Sequence, residues 1–135
     1  MNVSVDTNIL VRAVVLDDPI QSLAALQCLT QAKVIAIALP CLCEFVWVLK
    51  RVYGFSSGDV AGAISALLAS ANVTVNRPAV DAGLSVLEAG GDFADGVIAF
   101  EGRWLGGTTF VSFDREAVAI LSAQSIEARV LTTGS

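Results

Sequence analysis

The sequence predicts an α/β fold: three layers, α/β/α, in which helices cover both faces of a mostly parallel central sheet of four to five strands. Three observations predict it. Short β-like runs alternate with helix-like stretches along the whole chain, which is the pattern of successive βαβ units. The strand-like runs are apolar throughout instead of alternating, as expected of strands buried on both faces. The 135 residues are 55% hydrophobic and only 16% charged, which suits one well-filled core in a single domain spanning 1–135 and excludes a disordered chain.

The elements follow in order. Val3-Ser4-Val5 reads as a buried strand ending at Asp6, and Asn8 to Val15 as a short helix. Asp18-Pro19 is a cap followed by a first-turn proline, opening a helix over Ile20 to Ala32. Val34 to Leu39 is a second apolar strand. Pro40 opens a helix through Val52, which Gly54 stops. Ser56-x-x-Asp59 resembles a capping box and starts a helix to about Ser70. Val73-Thr74-Val75 is a third short strand. Pro78 starts a helix ending at Gly90-Gly91, and Asp92 begins another that runs to about Leu105. Thr109 to Ser112 is a fourth strand, Glu116 to Ser122 a helix, Ala128 to Leu131 a last strand, and 132–135 a loose tail.

Composition removes several function classes. No window reaches the ~20 apolar residues of a membrane span. No basic region followed by an apolar stretch opens the chain, so the expected compartment is the cytoplasm. The three cysteines, Cys28, Cys41 and Cys43, are odd in number and lack framework spacing, which speaks against a disulfide scaffold and against zinc. They read as buried apolar side chains. The chain has no histidine. That excludes Ser-His-Asp and Cys-His triads and imidazole acid–base chemistry. Catalysis would have to use carboxylates, Lys, hydroxyls, thiols or an oxygen-ligated metal. The net charge of −5 argues against a module that binds nucleic acid through a broad basic face. It leaves room for a nuclease that holds cations in an acidic pocket.

The acids carry the chemistry. Asp6 directly follows the first strand, and Glu44 lies in the first turns of the helix after the second. Asp95 lies in the first turn of the helix leading into the fourth strand, with Asp92 just before it, and Asp114 follows that strand. In a parallel sheet these positions all fall at the carboxyl edge, where ligands of open α/β sheets bind. Carboxylates brought together repel one another unless a cation intervenes. Mg²⁺ takes oxygen ligands and keeps several waters, so a few carboxylates suffice. Such a cation makes a coordinated water a better nucleophile and neutralises charge on a phosphodiester. Each acid also has a structural reading. Asp6, Asp92 and Asp114 suit helix caps, and Glu44 and Asp95 suit first-turn acids favoured by the helix dipole. Glu44 is the hardest to dismiss, because Leu42, Cys43, Phe45, Val46, Trp47 and Val48 surround it in sequence and a buried lone acid is costly. Asp17, Asp18, Asp59, Asp81, Glu88, Glu101, Glu116 and Glu127 read as caps or solvated faces.

Val5-Asp6-Thr7-Asn8-Ile9-Leu10-Val11-Arg12 resembles the opening of PIN domains, especially the VapC toxins of bacterial toxin–antitoxin pairs. Leu39-Pro40, Glu44 and Trp47-Val48-Leu49 resemble the family's second block. Gly91-Asp92-Phe93-Ala94-Asp95 with Val97-Ile98-Ala99 resembles the third, and Phe113-Asp114-Arg115 the last. The four blocks span the chain in the family's order. The resemblance implies a PIN-like nuclease domain and a Mg²⁺- or Mn²⁺-dependent endoribonuclease with Asp6, Glu44, Asp95 and Asp114 as metal-binding, catalytic acids. It makes Asp92 an accessory acid, gives Thr7 and Asn8 the task of orienting Asp6 or holding a water, and puts the Ser112 hydroxyl beside Asp114. Arg12 and Arg115 are expected to contact RNA phosphate. Cys41 and Cys43 depart from the small or hydroxyl residues usual before Glu44 and are expected to pack against the core. The resemblance further implies a homodimer and a cognate antitoxin protein as partner.

Three other readings compete. One is a PIN-fold binding module without catalysis, against which the presence of all four acids speaks. Another is a phosphatase or phosphotransferase with an aspartyl nucleophile, but Asn8 stands where a second acid is needed. The last is a DNA nuclease with the same metal chemistry, ranked below RNA on the resemblance alone.

Overall fold

The computed structural model describes residues 1–133. It is a mixed α/β structure in which all strand pairing is parallel. The chain divides into two compact units, Met1–Asn76 and a second beginning at Arg77.

The first unit contains β1 (Asn2–Ser4), α1 (Thr7–Val14), α2 (Pro19–Gln31), β2 (Val34–Ala36), α3 (Leu39–Arg51), α4 (Ser57–Ala69) and β3 (Val73–Thr74). Its strands pair in the order β1-β2-β3. The register sets Ser4 against Ala36 and Ala36 against Thr74, so the three strands end together at one edge. The helix starts follow local chemistry. Asp18 caps α2 by accepting from the Gln21 amide at 3.1 Å, and Pro19 occupies the first turn, where no amide is needed. Ser56 caps α4 by accepting from the Asp59 amide at 3.0 Å. Gly54 ends the α3 segment at φ +69°, a backbone conformation that side chains resist. The apolar face of α3 is Leu42, Phe45, Val46 and Leu49, all buried. Leu10, Val11, Ile35, Val60 and Ile64 are buried as well.

The second unit contains α5 (Arg77–Glu88), α6 (Phe93–Trp104), β4 (Phe110–Ser112), α7 (Arg115–Ala123) and β5 (Ala128–Val130). β4 and β5 form a two-stranded parallel pair with Ser112 opposite Val130. Helices α5 and α6 approach closely because two glycines allow it. A Cβ on Gly83 would lie 2.6 Å from the ring of Phe93, and one on Gly96 would collide with the Ala82 carbonyl oxygen. Gly90 closes α5 at φ +93°.

Where a single sheet of four to five strands is expected, the strands hydrogen-bond as a set of three and a set of two. The apolar run from Val34 to Leu39 contributes only three residues to β2. Ile37 and Leu39 are buried beyond it, so apolar character there reflects burial more than ladder pairing. Of the expected tail, 132 and 133 carry no regular structure, and 134 and 135 lie outside the described residues. Among the described residues, no helix is long and apolar enough to cross a membrane.

Candidate functional site

The acids singled out in the sequence fall into two groups, one in each unit. In the first unit Asp6 lies two residues beyond β1 and is the N-cap of α1. Its Oδ1 accepts from the Thr7 amide at 2.7 Å. Thr7 is one of the few buried polar residues, 4% exposed, and its hydroxyl hydrogen-bonds the thiol of Cys41. Glu44 is the sixth residue of α3, three residues and almost one turn after Cys41. Asp6 and Glu44 both act electrostatically on Cys41, which ties the two acids to one locality. Burial pushes the Cys41 thiol above its ordinary value. The Thr7 hydrogen bond opposes that push, and the charges of Asp6 and Glu44 add to it.

In the second unit Asp92 is the N-cap of α6, its Oδ1 accepting from the Ala94 amide at 3.2 Å. Asp95 occupies the first turn of that helix and is half-buried. Asp114 lies two residues beyond β4 and is the N-cap of α7, its Oδ1 accepting from the amides of Glu116 at 3.0 Å and Ala117 at 3.2 Å. The Ser112 hydroxyl accepts from the Asp114 amide at 3.0 Å, fixing the backbone that carries this carboxylate. Burial raises the Asp95 carboxyl above its ordinary value, and the charges of Asp92 and Asp114 raise it further. Two carboxylates therefore act on a third, Asp95, within this unit.

The structural and chemical readings of these acids coexist. Asp6, Asp92 and Asp114 are all helix N-caps, so each would be favoured there without any reaction. Each capping bond uses Oδ1, which leaves the other carboxylate oxygen outside the cap. Glu44 and Asp95 cap nothing. The expectation that Glu44 is costly to bury is corrected: it is exposed, on the side of α3 away from Leu42, Phe45, Val46 and Leu49. Its apolar sequence neighbours point elsewhere because a helix turns 100° per residue. The expectation for the cysteines is corrected too. All three are partly exposed, and Cys41 feels the charge of both acids in its unit.

Among the described residues, no group of three or more carboxylates or cysteines stands close enough to hold a metal ion. The donors nonetheless suit a hard cation. They are anionic oxygens, Asp6, Glu44, Asp92 and Asp114 are exposed, and the crowding around Asp95 is of the kind that a positive charge relieves.

The two arginines differ. Arg115 opens α7 and is exposed. Arg12 belongs to a polar network that sequence reading missed. Its Nη1 donates to Asp17 Oδ1 at 2.5 Å and to the Tyr53 hydroxyl at 3.4 Å, and its Nε donates to Gln21 Oε1 at 3.0 Å. Tyr53 in turn donates to Asp17 Oδ2 at 3.1 Å. The Arg12 guanidinium is held above its already high ordinary value, by the Tyr53 bond first; burial opposes that bond, and the Asp17 hydrogen bond and charge add to the rise. The Arg12–Asp17 spacing could have suggested the ion pair. Tyr53 lies 41 residues from Arg12 and left no local signal. Asn8 lies one turn before Arg12 on α1, and both line a cleft with Gln21.

Compared with models of known protein families and with curated proteins, the chain finds no match in either.

Proposed function

We propose that the chain is a Mg²⁺- or Mn²⁺-dependent endoribonuclease of the PIN-like, VapC-type toxin class, with Asp6, Glu44, Asp95 and Asp114 as the metal-holding acids. The observation that carries this reading is placement. Acids from four separate stretches of chain occupy the turns just beyond parallel strands or the first turns of helices, and within each unit they act on a common neighbour. The resemblance of the four sequence blocks to PIN domains supports the same assignment.

When bound, the cation supplies an activated water near neutral pH and neutralises charge on the scissile phosphodiester. The chain's own residues prepare for this. Asp6 and Asp114 are immobilised by their capping bonds, so their free oxygens are oriented before any ligand arrives. The Thr7 amide holds the Asp6 carboxylate, and the Ser112 hydroxyl fixes the backbone that carries Asp114. Asp92 is the accessory acid that keeps negative charge around Asp95. Asn8 projects from the same helix end as Asp6 and would hold a water or the sugar-phosphate chain, and Arg115 would meet phosphate.

The proposal extends to the fold and the setting. The five strands would form the mostly parallel sheet of a three-layer PIN-like domain. The protein would act in the cytoplasm as a homodimer controlled by a cognate antitoxin. The deciding experiment incubates purified protein and its Asp6→Asn, Asp95→Asn and Asp59→Asn variants with RNA, with and without Mg²⁺ or Mn²⁺. Cleavage should require metal, vanish in the first two variants and persist in the third. Equal activity in all three, or cleavage unaffected by chelator, would reject the assignment.

A further inference from the structure

The cleft beside Arg12 has a composition that the metal chemistry does not use. It has a volume of about 500 Å³ and is lined by Asn8, Ile9, Arg12, Gln21, Ala24 and Ala25, which lies within the size range of small-ligand pockets. Two amides and a guanidinium supply its polar groups, and Ile9 and the alanines supply apolar walls.

The sequence suggested that Arg12 contacts phosphate. The geometry argues for a different ligand. Asp17 sits against Arg12 at 2.5 Å, so a phosphate reaching the guanidinium would meet a carboxylate already there and would have to displace it or tolerate its repulsion. A neutral, flat ligand meets no such penalty. The bonds to Gln21, Asp17 and Tyr53 are made through N–H groups, which lie in the guanidinium plane. They fix the orientation of that plane without consuming its faces, and an arginine face is a stacking surface for aromatic rings. Gln21 spends its Oε1 on Arg12, and its amino group remains a donor. Asn8 adds a second amide one turn away along α1, the helix that Asp6 caps.

We infer that this cleft is a nucleobase subsite: one base of a single-stranded RNA, unstacked from its neighbours, lies on the Arg12 guanidinium and hydrogen-bonds to Gln21 and Asn8. Unstacked bases held on arginine planes and read by side-chain amides are a general mode of single-strand RNA recognition. Asp17 and Tyr53 are positioning residues that hold the guanidinium flat. The inference rests on the reading of the chain as a ribonuclease, and it gives that enzyme a means of choosing where along an RNA it cuts.

The test separates the two. Amide NMR spectra of the metal-free protein are recorded with adenosine, guanosine, cytidine and uridine, and separately with inorganic phosphate. Nucleosides should shift the amides of Asn8, Ile9, Arg12, Gln21 and Ala24, while phosphate should leave them unmoved. Arg12→Lys keeps the charge but loses the plane, and should weaken nucleoside binding about tenfold. Gln21→Ala and Tyr53→Phe, which remove partly exposed groups and should fold normally, should weaken it about threefold to tenfold. The subsite is refuted by any of three results: no nucleoside shifts at these amides, Arg12→Lys binding like wild type, or phosphate producing the same shifts. Nucleoside binding that persists in a protein unable to cleave RNA would instead reject the nuclease reading and leave the subsite standing.

Discussion

The two acidic groups are built alike but balanced differently. In each unit a carboxylate two residues beyond a parallel strand caps the helix that follows: Asp6 after β1 and Asp114 after β4. Around Asp6 and Glu44 the shared neighbour is Cys41, a thiol that remains neutral and is pushed further towards its protonated form by burial. Around Asp114 and Asp92 the shared neighbour is another acid, Asp95, whose carboxyl is raised first by burial and further by those two charges. In the second group the crowding therefore falls on one carboxyl, Asp95. A site poised to take up a metal would have its response concentrated at Asp95.

The largest expected effect separates chemistry from capping. Asp95→Asn and Asp6→Asn should each reduce metal-dependent RNA cleavage at least about a hundredfold. Asn still caps a helix, so Asp6→Asn should retain its melting temperature, and circular dichroism with a cleavage assay would show both results. If Asp6→Asn lost stability and activity together, its role would be the cap alone.

Packing tests the second group next. Gly96→Ala places a methyl against the Ala82 carbonyl, and overpacking of this kind costs about 1–3 kcal/mol. Denaturant unfolding should show that loss.

The tension at Asp95 predicts a pH effect of defined sign. With its folded value raised, the charged form is less favourable in the folded chain than in the unfolded one. The penalty is absent below the unfolded value, grows as pH rises, and is complete above the folded value. Asp95→Asn should therefore raise the Tm of the metal-free protein at neutral pH. The gain should fade as pH falls towards the ordinary aspartate pKa of about 3.9. A gain of equal size at all pH values would contradict the assigned cause.

The smallest effect concerns a strained cap. Ser125 adopts φ +64° just after α7, a conformation that glycine accepts more readily. Ser125→Gly should add about 0.5–1 kcal/mol, read as a small rise in Tm with no change at either group of acids.

Much of this architecture was legible because its signals are local. Asp18-Pro19 and Ser56-x-x-Asp59 mark helix starts through bonds spanning three residues, and Gly54 and Gly90 mark helix ends through backbone conformations available to few other residues. The division of strands into three and two was not legible, since pairing such as Asn2 with Val34 joins distant stretches. The candidate site divides along the same line. Positions of acids relative to strands and helices could be read directly. The exposure of Glu44, the approach of Cys41 to two acids and the Tyr53–Arg12 bond depend on packing between elements, for which the sequence has no short-range sign.

The central claim is most directly tested by titrating substoichiometric Mn²⁺ into the isotope-labelled protein and following the loss of individual backbone amide signals. Paramagnetic broadening should strike Asp6, Glu44, Asp95 and Asp114 first and spare the surface acids Asp59 and Asp81. Broadening that reaches Asp59 and Asp81 as readily as the other four, or that leaves all four intact, would contradict the assignment of a metal-dependent nuclease.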